Sequence, residues 1–245
     1  MSNYTKKTGI IIQARMGSTR LPSKIMLEVL GRPMLSYQLE RLKTLNYQVY
    51  LATTTEDRDD RVEQVAIENN LPFFRGSEAN VLKRYYDCAF KNELDIIVRI
   101  TSDCPFIEPS LIDQAVKHYL QMGDDNLYYS NTIQRTYPRG ADFEVFSFKL
   151  LREAHDNATE TGDREHVTPY IWKNKAGHVK IEQMTQKPNF SKFRLTLDTQ
   201  EDFSLISKLI TDYKAHQLPL DDISQIMAQN ADLHHINGHI EQKKS

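Results

Sequence analysis

The sequence predicts an α/β fold, a mostly parallel central sheet with helices on both faces. Three observations predict it. Short apolar runs alternate with amphipathic stretches from residue 9 to about 125. Two of the runs, Gly9–Ala14 and Ile96–Ile100, are apolar at every position but one (Gln13 and Arg99), as strands covered on both faces favour. No internal repeat or low-complexity linker interrupts the order, so βαβ units follow one another directly.

Taken in order, Gly9–Ala14 is a buried strand. Leu35, Leu39, Leu42 and Leu45 then fall on one helical face. Val49–Thr53 is the next strand, and Val62, Val65, Ala66 and Asn69 mark a second helix. Pro72–Arg75 is a short strand. After Gly76-Ser77, the set Val81, Leu82, Tyr85 and Ala89 gives a third helix. Ile96–Ile100 is followed by a helix with Pro109 in its first turn, where proline is tolerated, burying Leu111, Ile112, Ala115, Val116 and Tyr119. From about Asn126 the pattern changes. Asn126–Ser130 and Asp142–Ser147 read as strands, Phe148–Asn157 and Asp163–Lys173 as helices, and Val179–Met184 and Phe193–Leu197 as strands. Gln200–Tyr213 aligns Phe203, Ile206, Ile210 and Tyr213 on one helical face, a last helix starts near Leu220, and the polar tail after Ile236 is expected to fray.

The composition narrows the function classes. A chain of 245 residues can be one large α/β domain or two small ones, and 40% hydrophobic residues suffice for a sizeable core. Its net charge of −2 gives no overall attraction to nucleic acid or anionic membrane, so any anion site must be local. The polar start MSNYTKKTG lacks the apolar region of a secretion signal. No apolar run approaches the ~20 residues that span a bilayer. Two cysteines, Cys88 and Cys104, imply no disulfide framework. The simplest expectation is a cytoplasmic protein that binds neither nucleic acid nor membrane.

Parallel sheets bind ligands at the carboxyl ends of their strands, so the loops after Ala14, Thr53, Arg75 and Ile100 should face one crevice. The first loop carries Ala14, Arg15, Met16, Gly17, Ser18, Arg20 and Lys24. Glycine lets backbone amides approach a ligand, Arg15 can contact phosphate with two prongs, and Lys24 supplies a point charge. That suits a nucleotide triphosphate, although neither a Walker A nor a G-x-G-x-x-G pattern is present; the bland reading is a solvated basic loop. Thr53 and Ser102, at two other strand ends, join the nucleotide-binding set. Asp103, directly after the best strand, either holds Mg²⁺, which prefers oxygen ligands, or caps a turn. Asp198 either caps the next helix or provides a second carboxylate to the same ion. Arg99, Arg139, Asp142, Glu144, Arg164, Glu165 and His166 form a candidate substrate-binding set. Asp142 and Glu144 alternate and so should project from one face; Arg164 suits a carboxylate and His166 suits hydroxyls. An ion-pair network is the structural alternative. The His234-His235-Ile236-Asn237-Gly238-His239 cluster could suggest a metal site, but Gly238 interrupts any helix there.

QARMGSTRLPSK followed by GRPMLSYQLERL resembles the opening of the CMP-sugar synthetases, the cytidylyltransferases for 3-deoxy-manno-octulosonate and for acylneuraminates. The closer likeness is to their branch in spore-coat polysaccharide biosynthesis. It continues through GSEANVLKRYYDCA, VRITSDCPFIEP, YPRGADFEVF, DREHVTPYI and LTLDTQEDF, from about residue 9 to 215. The resemblance implies a Rossmann-like nucleotide-diphospho-sugar transferase fold with a small β extension. It implies one domain over 1–245: a nucleotide-binding half (9–125), a sugar-binding and dimerisation part (126–199), and C-terminal helices and tail (200–245). It also implies transfer of CMP from CTP to a keto-acid sugar with release of pyrophosphate, Asp103 and Asp198 as ligands to a Mg²⁺ cofactor, and Arg15, Lys24 and Asp103 as catalytic residues. Arg75 would lie close to cytosine and ribose, and subunits would pair through Leu127–Phe146 as a homodimer. The octulosonate enzymes carry other residues where DREHVTPY stands here, which leaves the sugar open. A glycosyltransferase is the nearest enzymatic alternative, but Thr-Ser-Asp-Cys has one aspartate where an Asp-x-Asp motif is usual. A non-catalytic nucleotide sensor is the third class.

Overall fold

The computed structural model describes residues 6–242. The first five residues of the polar start, and the last three of the tail, lie outside them. In chain order the elements are β1 (Thr8–Gln13), β2 (Glu28–Val29), β3 (Arg32–Pro33), α1 (Met34–Leu42), β4 (Gln48–Thr54), α2 (Asp60–Glu68), β5 (Phe73–Gly76), α3 (Val81–Lys91) and β6 (Ile96–Thr101). Then follow α4 (Pro109–Met122), β7 (Leu127–Ser130), β8 (Glu144–Ser147), α5 (Phe148–Asn157), α6 (Thr161–His166), α7 (Pro169–Trp172), β9 (Lys180–Gln183), α8 (Gln200–Tyr213), α9 (Leu220–Gln229) and α10 (Ala231–Asn237).

Seven strands form one sheet in the order β5-β4-β1-β6-β8-β7-β9. β5, β4, β1 and β6 are mutually parallel; β8 runs against both β6 and β7, and β9 runs with β7. Six strands therefore share one direction and β8 alone is reversed, the mostly parallel sheet that the sequence predicts. The central strands read as mostly apolar runs because both faces are covered, with Gln13 and Arg99 among the polar exceptions. Ile10 and Ile12 enter one core with Leu35, Leu39, Val62 and Val116, while Ile11 enters another with Val81, Leu82 and Tyr85. Each such isoleucine contributes about 2 kcal/mol through burial. A third core packs Phe193, Leu195 and Leu197 against α8 and α9.

Four details differ from the sequence reading. Phe193–Leu197 is extended but is not a strand of the sheet. It makes a single bridge, Arg139 to Arg194, and its side chains read as strand-like because Phe193, Leu195 and Leu197 are buried in the third core. The expected helix over 163–173 is broken at Val167, which has φ 72°, into α6 and α7. The strand expected from Asp142 begins at Glu144, so these two carboxylates do not share a strand face. The tail after Ile236 is anchored through Asn237, whose buried side chain donates to the Arg194 carbonyl and to Asp202. β7 and β8, within the stretch expected to pair subunits, are buried in the chain's own sheet. Among the described residues no helix is long and apolar enough to cross a membrane.

Candidate active site

The two central strands end side by side. Gln13 and Thr101 are register partners, and the Ser102 amide donates to the Gln13 carbonyl at 3.2 Å. The turn after β1 and the residues after β6 are thus fixed against one another by the ladder itself. The extended segment 193–197 closes the third side. The Leu197 amide and the Thr196 hydroxyl both donate to the Asp103 carbonyl, at 2.9 and 3.2 Å, which brings Asp198 next to Asp103 across 95 residues of sequence. Gly140 permits this approach. It has φ +100°, and a Cβ there would sit 2.6 Å from the Leu195 carbonyl.

Lys24 occupies the centre. Its Nζ donates to Asp103 Oδ2 at 2.9 Å and to Asp198 Oδ1 at 2.6 Å. Asp103 Oδ1 accepts from the Thr101 hydroxyl at 2.6 Å. Asp198 Oδ2 takes Arg20 at 2.9 Å and Arg194 at 3.2 Å. Burial alone would raise the Asp103 carboxyl, but the Lys24 charge, with hydrogen bonds from Thr101 and Lys24, outweighs it and holds the group at about 2. Burial would lower the Lys24 ammonium, and the two aspartates overcome that and raise it. Both effects keep Asp103 and Lys24 ionised at neutral pH.

The remaining loop residues are held by partners that the sequence reading did not identify. The Met16 amide donates to Asp59 Oδ1 at 2.6 Å, and Asp59 in turn accepts from the Thr54 hydroxyl. Arg15 reaches Glu78 at 3.4 Å, and Arg58 pairs with the same carboxylate. Gly17 faces them closely: a Cβ there would stand 3.0 Å from Glu78 Oε1 and 3.2 Å from the Arg58 guanidinium. The Ser18 amide closes a tight turn onto the Met16 carbonyl at 2.9 Å. Ala14 is tied to Ala52 of β4 at 3.1 Å, and Ser102 is buried beside it. Thr53 is fully buried, and its hydroxyl has no hydrogen-bond partner.

Other expected site residues stand apart from this cluster. Arg75 donates to the Thr54 and Glu56 carbonyls and pairs with Asp60 and Glu63, so its guanidinium ties the loop after β4 to α2. Arg99 pairs with Glu144 across the sheet and donates to Gln13 Oε1 at 3.1 Å, while Glu144 accepts from Tyr128 and from Thr168, the latter at 2.6 Å. Asp142 is instead held by both arms of Arg135. The Arg139 backbone bonds the 193–195 segment, and burial together with the charge of Arg135 lowers its guanidinium. Arg164 and Glu165 are exposed on α6 and His166 is half-buried; of that stretch Asp163, Val167 and Thr168 are buried, and Thr168 reaches Glu144. His234 packs edge-on against Phe193.

Sequence reasoning missed Arg194. It is buried, grips Asp202 with two nitrogens at 2.8 and 2.9 Å, and touches Asp198 from behind. The capping box of Thr199 and Asp202 marks the start of α8, but nothing in the sequence ties Arg194 to it. A cavity of about 300 Å³ opens at the amino end of β4, lined by Leu39, Leu42, Lys43 and Tyr47. That is the end of the sheet away from the aspartates.

Comparison with known proteins agrees with this geometry. The model of the cytidylyltransferase family matches residues 9–237. The spore coat polysaccharide biosynthesis protein SpsF of Bacillus subtilis is 33% identical over 207 residues, covering 81% of this chain and 84% of its own. A cytidylyltransferase structure from Leptospira borgpetersenii superposes with a TM-score of 0.89 at 35% identity, over 98% of this chain and all of that one. The structure of CMP:2-keto-3-deoxy-manno-octonic acid synthetase complexed with CTP superposes with a TM-score of 0.63 at 20% identity, over 85% of this chain and all of the other. That last likeness speaks to the fold. The family model and these relatives show a nucleotidyltransferase: the chain belongs to the cytidylyltransferase family.

Proposed function

We propose that the enzyme transfers CMP from CTP to a hydroxyl of a keto-acid sugar, releasing pyrophosphate, and that it requires Mg²⁺. The observation that carries the reading is the position of Lys24, at 2.9 Å from Asp103 and 2.6 Å from Asp198. Two carboxylates already converge on one cationic group at the mouth of the cationic turn. The CTP complex of the octonic acid synthetase on the same fold supports the choice of nucleotide, and the likeness to SpsF supports a role in surface polysaccharide synthesis.

The donor set suits the metal. Among the described residues no group of three or more His, Cys, Asp or Glu side chains gathers. Mg²⁺ commonly takes one or two carboxylates and completes its shell with substrate phosphates and water. Asp103 and Asp198 would hold it, and it would neutralise charge on the phosphate oxygens when bound.

The protein's own residues do the rest. Arg15, Arg20 and Lys24 surround the turn with positive charge. Gly17 keeps its surface free of a side chain. A sugar hydroxyl attacks the α-phosphorus of CTP in line with the departing pyrophosphate, and Lys24 and Arg15 stabilise the charge that develops on the five-coordinate phosphorus and the leaving group. The contribution is positioning and electrostatics, as phosphoryl chemistry demands. A matrix of nucleoside triphosphates against sugars with Mg²⁺, read as pyrophosphate, tests the reading. Turnover with CTP and a keto-acid sugar is expected. Release of a nucleoside diphosphate from a nucleotide sugar would replace it with a glycosyltransferase.

A further inference from the structure

The contacts around the two aspartates separate partners held by the fold from partners supplied by the turn. The rear oxygen of Asp103 is held by Thr101, on its own strand. The rear oxygen of Asp198 is held by Arg194, which Asp202 grips and which is locked by α10 through Asn237, and it also meets Arg20 of the turn at 2.9 Å. The two front oxygens, Asp103 Oδ2 and Asp198 Oδ1, share one donor, Lys24 Nζ. Lys24 stands on a short turn pinned by buried Ile25 and Met26, so its backbone is fixed while its four-carbon stem can re-aim.

We propose that Lys24 competes with the divalent ion for the gap between Asp103 and Asp198, so that the metal site opens only when a phosphate chain draws the ammonium away. The argument is electrostatic. An ammonium and a divalent cation cannot share the same two oxygens, because like charges at that spacing repel strongly. A triphosphate on the turn offers Lys24 other oxygens of the same charge. Its departure leaves two facing carboxylates whose mutual repulsion favours a cation between them. Arg194 and Thr101 stay behind and keep both groups aimed. Nucleotide therefore binds before metal at this position, and by linkage each strengthens the other equally. The inference rests on the metal reading above and adds the order in which the parts assemble.

The test is a Mn²⁺ titration of the full chain without nucleotide, read by electron paramagnetic resonance, on wild type, Lys24→Met and Lys24→Gln. Both variants are expected to bind one Mn²⁺ about tenfold or more tightly than wild type, and adding Asp103→Asn to either is expected to abolish that site. Melting curves check each fold, and either variant suffices if the other does not fold. Variants that bind Mn²⁺ no tighter than a metal-dependent wild type overturn the proposal alone. A wild-type chain that turns over CTP in excess chelator overturns the metal reading and the proposal together.

Discussion

Two ionic clusters are organised around the central strands, and they are built in opposite ways. Arg99 and Glu144 face each other across β6 and β8, with side chains 14% and 8% exposed, and every neighbour is part of the sheet or packed on it. Tyr128, Thr168 and Gln13 complete the set. Burial would lower the Arg99 guanidinium, and Glu144 more than restores it. The Lys24 cluster instead lies at strand ends, where its cations come from a turn and its anions from two separate segments. The difference teaches which charges are architecture and which can be exchanged. A pair inside the ladder has no alternative partner, whereas Lys24 and Arg20 need only re-aim to meet phosphate.

Four measurements break or sharpen this contrast. Glu144→Leu leaves Arg99 buried without its counter-charge, and a loss of about 3–5 kcal/mol in urea stability is expected; a loss under about 1 kcal/mol would show the pair to be as exchangeable as the other. Lys24→Ala and Asp103→Ala should each lower CTP-dependent pyrophosphate release by about two orders of magnitude or more, while melting stays cooperative and falls by about 10 °C or less. Wild-type turnover in either would remove the cluster from the chemistry. Acid should separate the clusters too. Asp103 is held at about 2, below its ordinary 3.8. Its contribution is therefore present above pH 4 and disappears as pH falls towards 2, by about 2 kcal/mol at most. Denaturant curves of wild type and Lys24→Met should converge over that window. Finally, Arg75→Ala should cost about 1 kcal/mol or less and leave the KM for CTP within about twofold, because its guanidinium ties a loop to α2. A large rise in KM would return Arg75 to the nucleotide.

The parallel half of the sheet was legible because its strands are buried on both faces and hence mostly apolar, with few polar positions such as Gln13 and Arg99. β1, β4 and β6 stand where the sequence places them. The later half was less legible, since extended backbone packed on a core has the same alternation as a strand. Phe193–Leu197 shows this: its apolar residues enter the third core while its amides bond Arg139 and Asp103. The break at Val167 was hidden because nothing in a β-branched residue announces a positive φ. Of the site, the cationic turn and Asp103 could be read from their position after central strands. Asp198 was indistinguishable from a helix cap without the family likeness. Arg194, Asp59 and Glu78 could not be read at all, because their importance arises from contacts that only the fold creates.

Asp202 joins two tasks in one carboxylate. It accepts from the Asp198 and Thr199 amides, at 2.9 and 3.1 Å, and so begins α8; the same group anchors Arg194 and Asn237. Winding the first turn of that helix and seating Asp198 are consequently a single event. Gentle heating that unravels the amino terminus of α8 would silence the enzyme while most of the sheet is still intact, so inactivation should run ahead of bulk melting.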